Sequence, residues 1–250
     1  MLESVWHGFC VTKRMDAGFQ RDGLIQVSNL GFRGVSQDQS RALVERIRRI
    51  PGVQAAARTQ IGVSPNGNSM TDFFLPGATN SISLGVYGVE TGFFESMGMR
   101  LLAGRFFSDS QGKDDATTPY PVEIAAERAL AARGINVVIT ESAAKRLGFH
   151  TPQSALGKEL RGALTVPEVG LIPCTIVGVV ADTRFRSVRE PIQPTVYVMA
   201  PDDVFRIDGR GRTTQLTNVN GALLAELDPV TLDKFSFTGA NNDRVWGMVR

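Results

Sequence analysis

The chain has 250 residues, 42% hydrophobic and 21% charged, with a formal net charge of +2. That is enough apolar material to bury a core in one large or two small domains. The charge balance excludes a binder of the nucleic-acid backbone, and no apolar run is long enough to cross a bilayer.

Taken in chain order, Gly23–Leu30 is predicted as the first strand. Ser36 then stands at the N-cap of a helix running to about Ile50, with Leu43, Val44, Ile47 and Ile50 on one face. Pro51 and Gly52 stop it, and Val53–Ile61 is predicted as a strand that completes a β-α-β unit. The segment Val63–Gly77 carries strong turn signals and is expected to be a loop or hairpin. Ser81–Glu90 alternates as a strand does. Thr91 is the expected cap of an amphipathic turn holding Phe93, Phe94 and Met97, ended by Gly98.

Gln111–Tyr120 is hydrophilic and is expected to be a solvated loop, and Glu123–Arg133 is alanine-rich and helical. Asn136–Thr140 is a buried strand. It feeds a helix over Glu141–Leu147, which Gly148 closes, with Glu141 and Lys145 one turn apart. Thr151 and Pro152 open a second helical turn that reaches Leu156. Strands are predicted at Lys158–Arg161, at Cys174–Ala181 (covered on both faces) and at Thr195–Met199. In the tail, a strand at Val204–Ile207, a helix at Thr214–Leu227 and a strand at Lys234–Phe237 form a second β-α-β unit. The fold class expected is α+β, two β-α-β half-units with a mostly β lobe inserted between them.

The motifs that carry chemistry are missing. Gly157-Lys158 is followed by Glu159, and Pro152 stands where a phosphate loop needs its first glycine. No GxGxxG or GxSxG occurs. His7 and His150 are the only candidates for a neutral-pH base, and His150, just after Gly148-Phe149 at a helix exit, is expected at the surface. Asp114 and Asp115 lack a third oxygen ligand, so a solvated loop is the preferred reading over a metal site. Glu141 and Asp182 have simpler roles than a catalytic carboxylate pair, the first at a helix start and the second at a strand end. Cys10 and Cys174 fit no CxxC pattern. A buried inert thiol is favoured for Cys174, and a disulfide between the two stays open at this level. Arg46, Arg48 and Arg49 form the solvated face of a helix. No catalytic, metal or cofactor-binding residue is assigned, and no cofactor is expected.

Seven segments in order resemble one family. They are MDAGF (Met15–Phe19), PGV (Pro51–Val53), FFESMGMRLLAGR (Phe93–Arg105), ITESAAKRLGF (Ile139–Phe149), ALGKEL (Ala155–Leu160), IVGVVAD (Ile176–Asp182) and REPIQPTVYV (Arg189–Val198). Each is weak alone, but their order and spacing resemble the periplasmic core domain of MacB-type, FtsX-like ABC transporter permeases. The resemblance spans about Asp16 to Asp228. The Glu123–Arg133 helix departs from the family pattern as an insertion, and so does the polar stretch Phe237–Asp243.

The resemblance implies a membrane-proximal segment over 1–18. It also implies a discontinuous porter-like subdomain over 19–62 and 203–247, and a sabre-like subdomain over 63–202. Hinges are expected near Gly62–Pro65 and Ala200–Asp203. It implies a periplasmic head of an inner-membrane permease that couples cytoplasmic ATP hydrolysis to movement and does no bond-making. The chain is then expected to be a fragment whose flanking membrane helices are absent. The implied partners are an ABC ATPase subunit or domain, a second permease copy, a periplasmic adaptor and an outer-membrane channel, with no nucleic acid. Asp182, Arg184, Ser187, Arg189, Glu190 and Pro194 match the family pattern D-x-R-x-x-S-x-R-E-x-x-x-P. Asp182, Arg184, Arg186, Arg189 and Glu190 are therefore the candidate site, with a structural loop held by Arg–carboxylate pairs preferred over a docking surface. The competing class is an independent soluble periplasmic binding protein or hydrolase, which needs a deep pocket with converging polar groups.

Overall fold

A computed structural model describes residues 16–20, 22–26, 37–59, 69–119, 123–185 and 190–200, with strand segments at 205–207, 213–215 and 246–247. In chain order the elements are β1 (Ile25–Gln26), α1 (Gln37–Arg48), β2 (Met70–Phe74), β3 (Ile82–Gly88), α2 (Phe93–Ser96), β4 (Leu101–Gly104), α3 (Ile124–Arg133) and β5 (Ile135–Thr140). There follow α4 (Glu141–Arg146), α5 (Pro152–Ala155), β6 (Glu159–Gly162), β7 (Ile172–Val180), β8 (Thr195–Val198), β9 (Phe205–Ile207), β10 (Thr213–Gln215) and β11 (Trp246–Gly247).

Seven strands make one mixed sheet in the order β4-β7-β5-β8-β3-β2-β6, and β6 also pairs with β7. The ladder therefore closes on itself through six strands, with β4 outside the ring and paired to β7 alone. On β7, β5 runs parallel along Cys174–Val180. The other edge of β7 is shared by β6, opposite Ile172–Thr175, and β4, opposite Gly178–Val180. The parallel pairing of β5 with β7 needs a crossover, and α4, α5 and the β6 hairpin supply it.

Alternation sorts the strand residues into two apolar clusters. Ile135, Val137, Ile139, Val196 and Val198 join an aliphatic cluster with Ala143, Ala144 and Leu147 of the α4 region. Val138 and Tyr197 face the other way, into an aromatic cluster with Phe93, Phe94, Phe107 and Phe185. A register shift on β7 after Ile176 inserts Val177 as an extra residue, so that Val138 lies opposite Gly178. Ile176 and Val179 consequently belong to the same cluster despite their odd spacing. The end of β7, Gly178–Val180, is buried throughout, while its first six residues alternate between buried and half-buried.

The α+β class and most central elements agree with the sequence patterns. The α5 turn has the capping box of Thr151 and Ser154, with Pro152 at the start. Lys145 and Glu141 pair at 2.7 Å. Four expectations need correction. First, Val53–Ile61 forms no strand over 53–58, and Thr59 alone bridges to Val89. The Arg58 amide is instead taken by the Glu90 carboxylate, and the Ala56 carbonyl by Arg48. Second, Met70–Phe74, inside an expected loop, is β2, because Phe73 is wholly buried between β3 and β6. Third, Gly92 rather than Thr91 holds the N-cap of α2, with φ 85°, and the Thr91 hydroxyl donates to Asp109. Fourth, Thr214 and Gln215 lie in β10, paired with β9, and not in a helix. The rest of that expected helix, the Lys234–Phe237 strand, Ser36, and the hinge positions except Ala200 lie outside the described residues.

Candidate functional site

The candidate loop follows directly from β7, and its residues diverge. Asp182 Oδ1 accepts the Ser142 amide at 2.8 Å, in the first turn of α4, whose N-cap Thr140 accepts the Ala143 amide. An acidic side chain there satisfies an orphan N–H and opposes the helix dipole. Arg184 turns elsewhere. Its main-chain N–H donates to the Ala17 carbonyl at 2.8 Å, and its Nη1 donates to the Glu190 carbonyl at 2.9 Å. The loop is thus tied through Asp182 to a helix amide and through Arg184 to main-chain carbonyls. Arg186 and Arg189 lie outside the described residues. Between Thr183, Arg184, Phe185, Glu190 and Thr195 is a crevice of about 20 Å³, room for about one water molecule.

The loop grips the N-terminal segment. Gly18 (φ 76°) lies so close that a Cβ would stand 2.0 Å from the Asp182 carbonyl oxygen. Only glycine fits this approach and this backbone conformation. Phe19 packs on Phe185 with ring centroids 5.2 Å apart. Two of the sequence signals, MDAGF and IVGVVAD, are therefore signals of one contact. Beneath it, the Tyr197 hydroxyl meets Thr183 Oγ1 at 3.3 Å, and burial raises its pKa although that bond opposes the shift.

Sequence reasoning missed two ion pairs. Asp114, expected in solvent, is fully buried. Its carboxylate accepts two bonds from Arg105 (2.6 and 2.9 Å), one from the Ser108 amide (2.8 Å) and one from Asn136 Nδ2 (2.6 Å). Burial raises its pKa, but these donors outweigh burial and hold the carboxyl below its ordinary range. Arg58 and Glu90, with side chains 10% and 15% exposed, form the second pair at 2.8 Å. The only signal was the Arg105 of the LLAGR segment, and nothing in spacing pointed from it to Asp114. Cys174 is a buried free thiol, raised to about 12 by burial, and His150 is exposed. Cys10 and His7 lie outside the described residues.

Among the described residues no cluster of His, Cys, Asp or Glu is placed to hold a metal, and no helix is long and apolar enough to cross a membrane. The family model of the MacB-like periplasmic core domain matches residues 10–234. The chain belongs to this family. No curated protein matches it. Solved structures similar to it include the periplasmic region of MacB from Actinobacillus actinomycetemcomitans, 14% identical over 77% of this chain and 68% of that one, with a TM-score of 0.39. A permease domain from Porphyromonas gingivalis is 20% identical over 72% of this chain and 65% of that one, with a TM-score of 0.42. The extracellular domain of the noncanonic ABC-type transporter YknZ from Gram-positive bacteria is 13% identical over 71% and 70%, with a TM-score of 0.37.

The chain is accordingly the periplasmic domain of a MacB-like, inner-membrane ABC transporter permease. The family is one of transporter domains rather than a known enzyme family, and such permeases work with ATPase subunits.

Proposed function

We propose that this MacB-like domain is a mechanical relay: it converts movement driven by ATP hydrolysis across the membrane into movement and partner docking in the envelope. The observation that carries this reading is the grip on residues 16–20. The Ala17 carbonyl and the Gln20 amide are each bonded to main chain of the core, at Arg184 and Met97, with Gly18 pressed on Asp182 between them. A segment held by main-chain bonds at both ends transmits displacement better than one held by exposed side chains. The pairing of β1 with β11 supports the discontinuous layout, in which 19–62 joins 203–247 and 63–202 forms the inserted lobe. A second permease copy, an adaptor and an outer-membrane channel are the partners this role calls for. Asp182 and Arg184 then serve first as the clamp on the N-terminal segment.

The test is Gly18→Val in the complete permease with its ATPase. Spin labels on the head should lose their nucleotide-dependent distance change while ATP hydrolysis continues and the head keeps its circular dichroism. A folded Gly18→Val head that still responds to nucleotide would overturn the grip on residues 16–20 as the path of the relay.

A further inference from the structure

We propose that residues 90–98, the turn around α2, are a coupling element that makes α1 and the closed sheet move as one body; this rests on the relay reading above and names its point of engagement. The stretch that carries β1 and α1 runs from residue 20 to residue 58, and Leu24 and Ala57 within it pack on the aromatic cluster. Both ends are bound to the same short turn. At its far end, the Gln20 amide donates to the Met97 carbonyl at 2.8 Å, and Gln20 Cβ lies 3.0 Å from where a Gly98 Cβ would be. At its near end, Arg58 donates Nε and Nη2 to Glu90 Oε1 at 3.0 and 2.8 Å, and its amide to Oε2 at 3.0 Å. Glu90 returns its own amide to the Arg58 carbonyl at 3.0 Å. Arg48, from the last turn of α1, adds a bond from Nη2 to the Thr91 carbonyl at 3.4 Å.

Between these two grips the turn drives Phe93 and Phe94 into the core, where they are 4% and 1% exposed. Phe94 meets Tyr197 edge-on at 5.1 Å and stacks on Phe106 at 4.9 Å, while Phe93 meets Phe185 at 6.2 Å. Tyr197 lies on β8, in the middle of the sheet. Moving the Arg58 end of this stretch away from the sheet therefore requires breaking a nearly buried ion pair or pulling two aromatic rings out of their cluster. An opening of about 380 Å³ lies beside the turn, lined by Arg48, Gln54, Ala56, Thr91 and Glu95. Across that opening, Arg48 ties α1 to the turn through the Thr91 carbonyl. This assigns a role to the FFESMGM segment, which the candidate loop left without one.

Hydrogen exchange of the 250-residue chain, read by mass spectrometry, tests the proposal with Arg58→Met, Glu90→Gln and the exchanged pair R58E/E90R. In Arg58→Met and Glu90→Gln, amides of residues 41–50 should exchange roughly tenfold faster, with residues 135–140 unchanged. The exchanged pair should return them to within about twofold of the parent. Phe94→Leu, which keeps the ion pair and loosens its seat, should also speed residues 41–50. The proposal is overturned if residues 41–50 do not respond, or if 135–140 accelerate equally, which would make the pair a general stabiliser. In the assembled permease, labels at Arg41→Cys and Lys158→Cys should keep a constant separation through the nucleotide cycle. A changing separation would overturn the coupling element and leave the relay standing. A head that never responds to nucleotide would overturn the relay, and exchange in the isolated chain would still decide the coupling element.

Discussion

In the loop after β4, Arg105 and Asp114 face each other across two hydrogen bonds, and two further donors from Ser108 and Asn136 complete the carboxylate. In the loop after β7, Asp182 and Arg184 turn apart, the first to a helix amide and the second to main-chain carbonyls. The first loop is polar, glycine-marked and ordinary in sequence. The second is the densest charged run in the family pattern. Charge density along the chain predicts neither burial nor pairing. What decides both is whether the sheet brings opposite charges together where water is excluded.

The largest expected effect comes from Arg105→Met. Arg105 is 38% exposed, whereas Asp114 is fully buried, so the two partners are not equivalent. Removing Arg105 leaves a buried carboxylate with two donors, at a cost of about 3–5 kcal/mol. Asp114→Asn leaves an arginine that water can reach, and should cost only about 1–3 kcal/mol. The pH dependence should also reverse. In the parent, the Asp114 carboxyl lies below its ordinary value of 3.8, so its contribution is present above that value and lost as pH falls through the lowered one. Without Arg105, burial dominates and raises the carboxyl, so stability is held in acid and lost as pH rises through the new value. Urea unfolding across a pH series reads both slopes, and two slopes of the same sign would refute the unequal-partner account.

Next in size is Gly178→Ala, which probes how the Arg105 loop is seated. A Cβ at Gly178 would stand 2.2 Å from the Arg105 carbonyl oxygen, so backbone has to move. A loss of about 2–3 kcal/mol is expected. At Gly112, in the same loop, an added methyl would meet nothing within 4 Å, and Gly112→Ala should change stability by less than about 0.5 kcal/mol. Equal losses at the two glycines would mean that the loop, and not its contact with β7, sets the cost.

Much of the centre was legible because its signals are local. Thr151, Pro152 and Ser154 specify their turn by themselves, and Glu141 with Lys145 needs only a helix to meet. Ile135–Thr140 is wholly buried, as its run of apolar residues implied. The failures are non-local. Met70–Phe74 is a strand only because β3 and β6 lie on either side of it. Val53–Ile61 has the composition of a strand, but the Arg48 side chain takes its Ala56 carbonyl and the Glu90 carboxylate takes its Arg58 amide. Of the candidate site, the Asp182 and Arg184 positions were legible as a pattern. Their partners Ser142 and Ala17 were not, since those lie 40 and 167 positions away along the chain by the numbering of the sequence.

The smallest expected effects fall on the loop that looked most functional. Asp182→Ala removes one acceptor from the first turn of α4, where Thr140 still caps, so about 0.5–1.5 kcal/mol should be lost. Arg184→Met keeps the main-chain bond to Ala17 and loses only the bond to the Glu190 carbonyl, which should cost about 0.5–1.5 kcal/mol. If these residues act only as a clamp, transport in the complete permease should fall in proportion to that loss of stability, and warming either variant or cooling the parent should reproduce the same relation. If instead Arg184→Met abolishes transport while its unfolding midpoint barely shifts, the side chain faces a partner, and the comparison between the two loops becomes one between a structural charge pair and a docking surface.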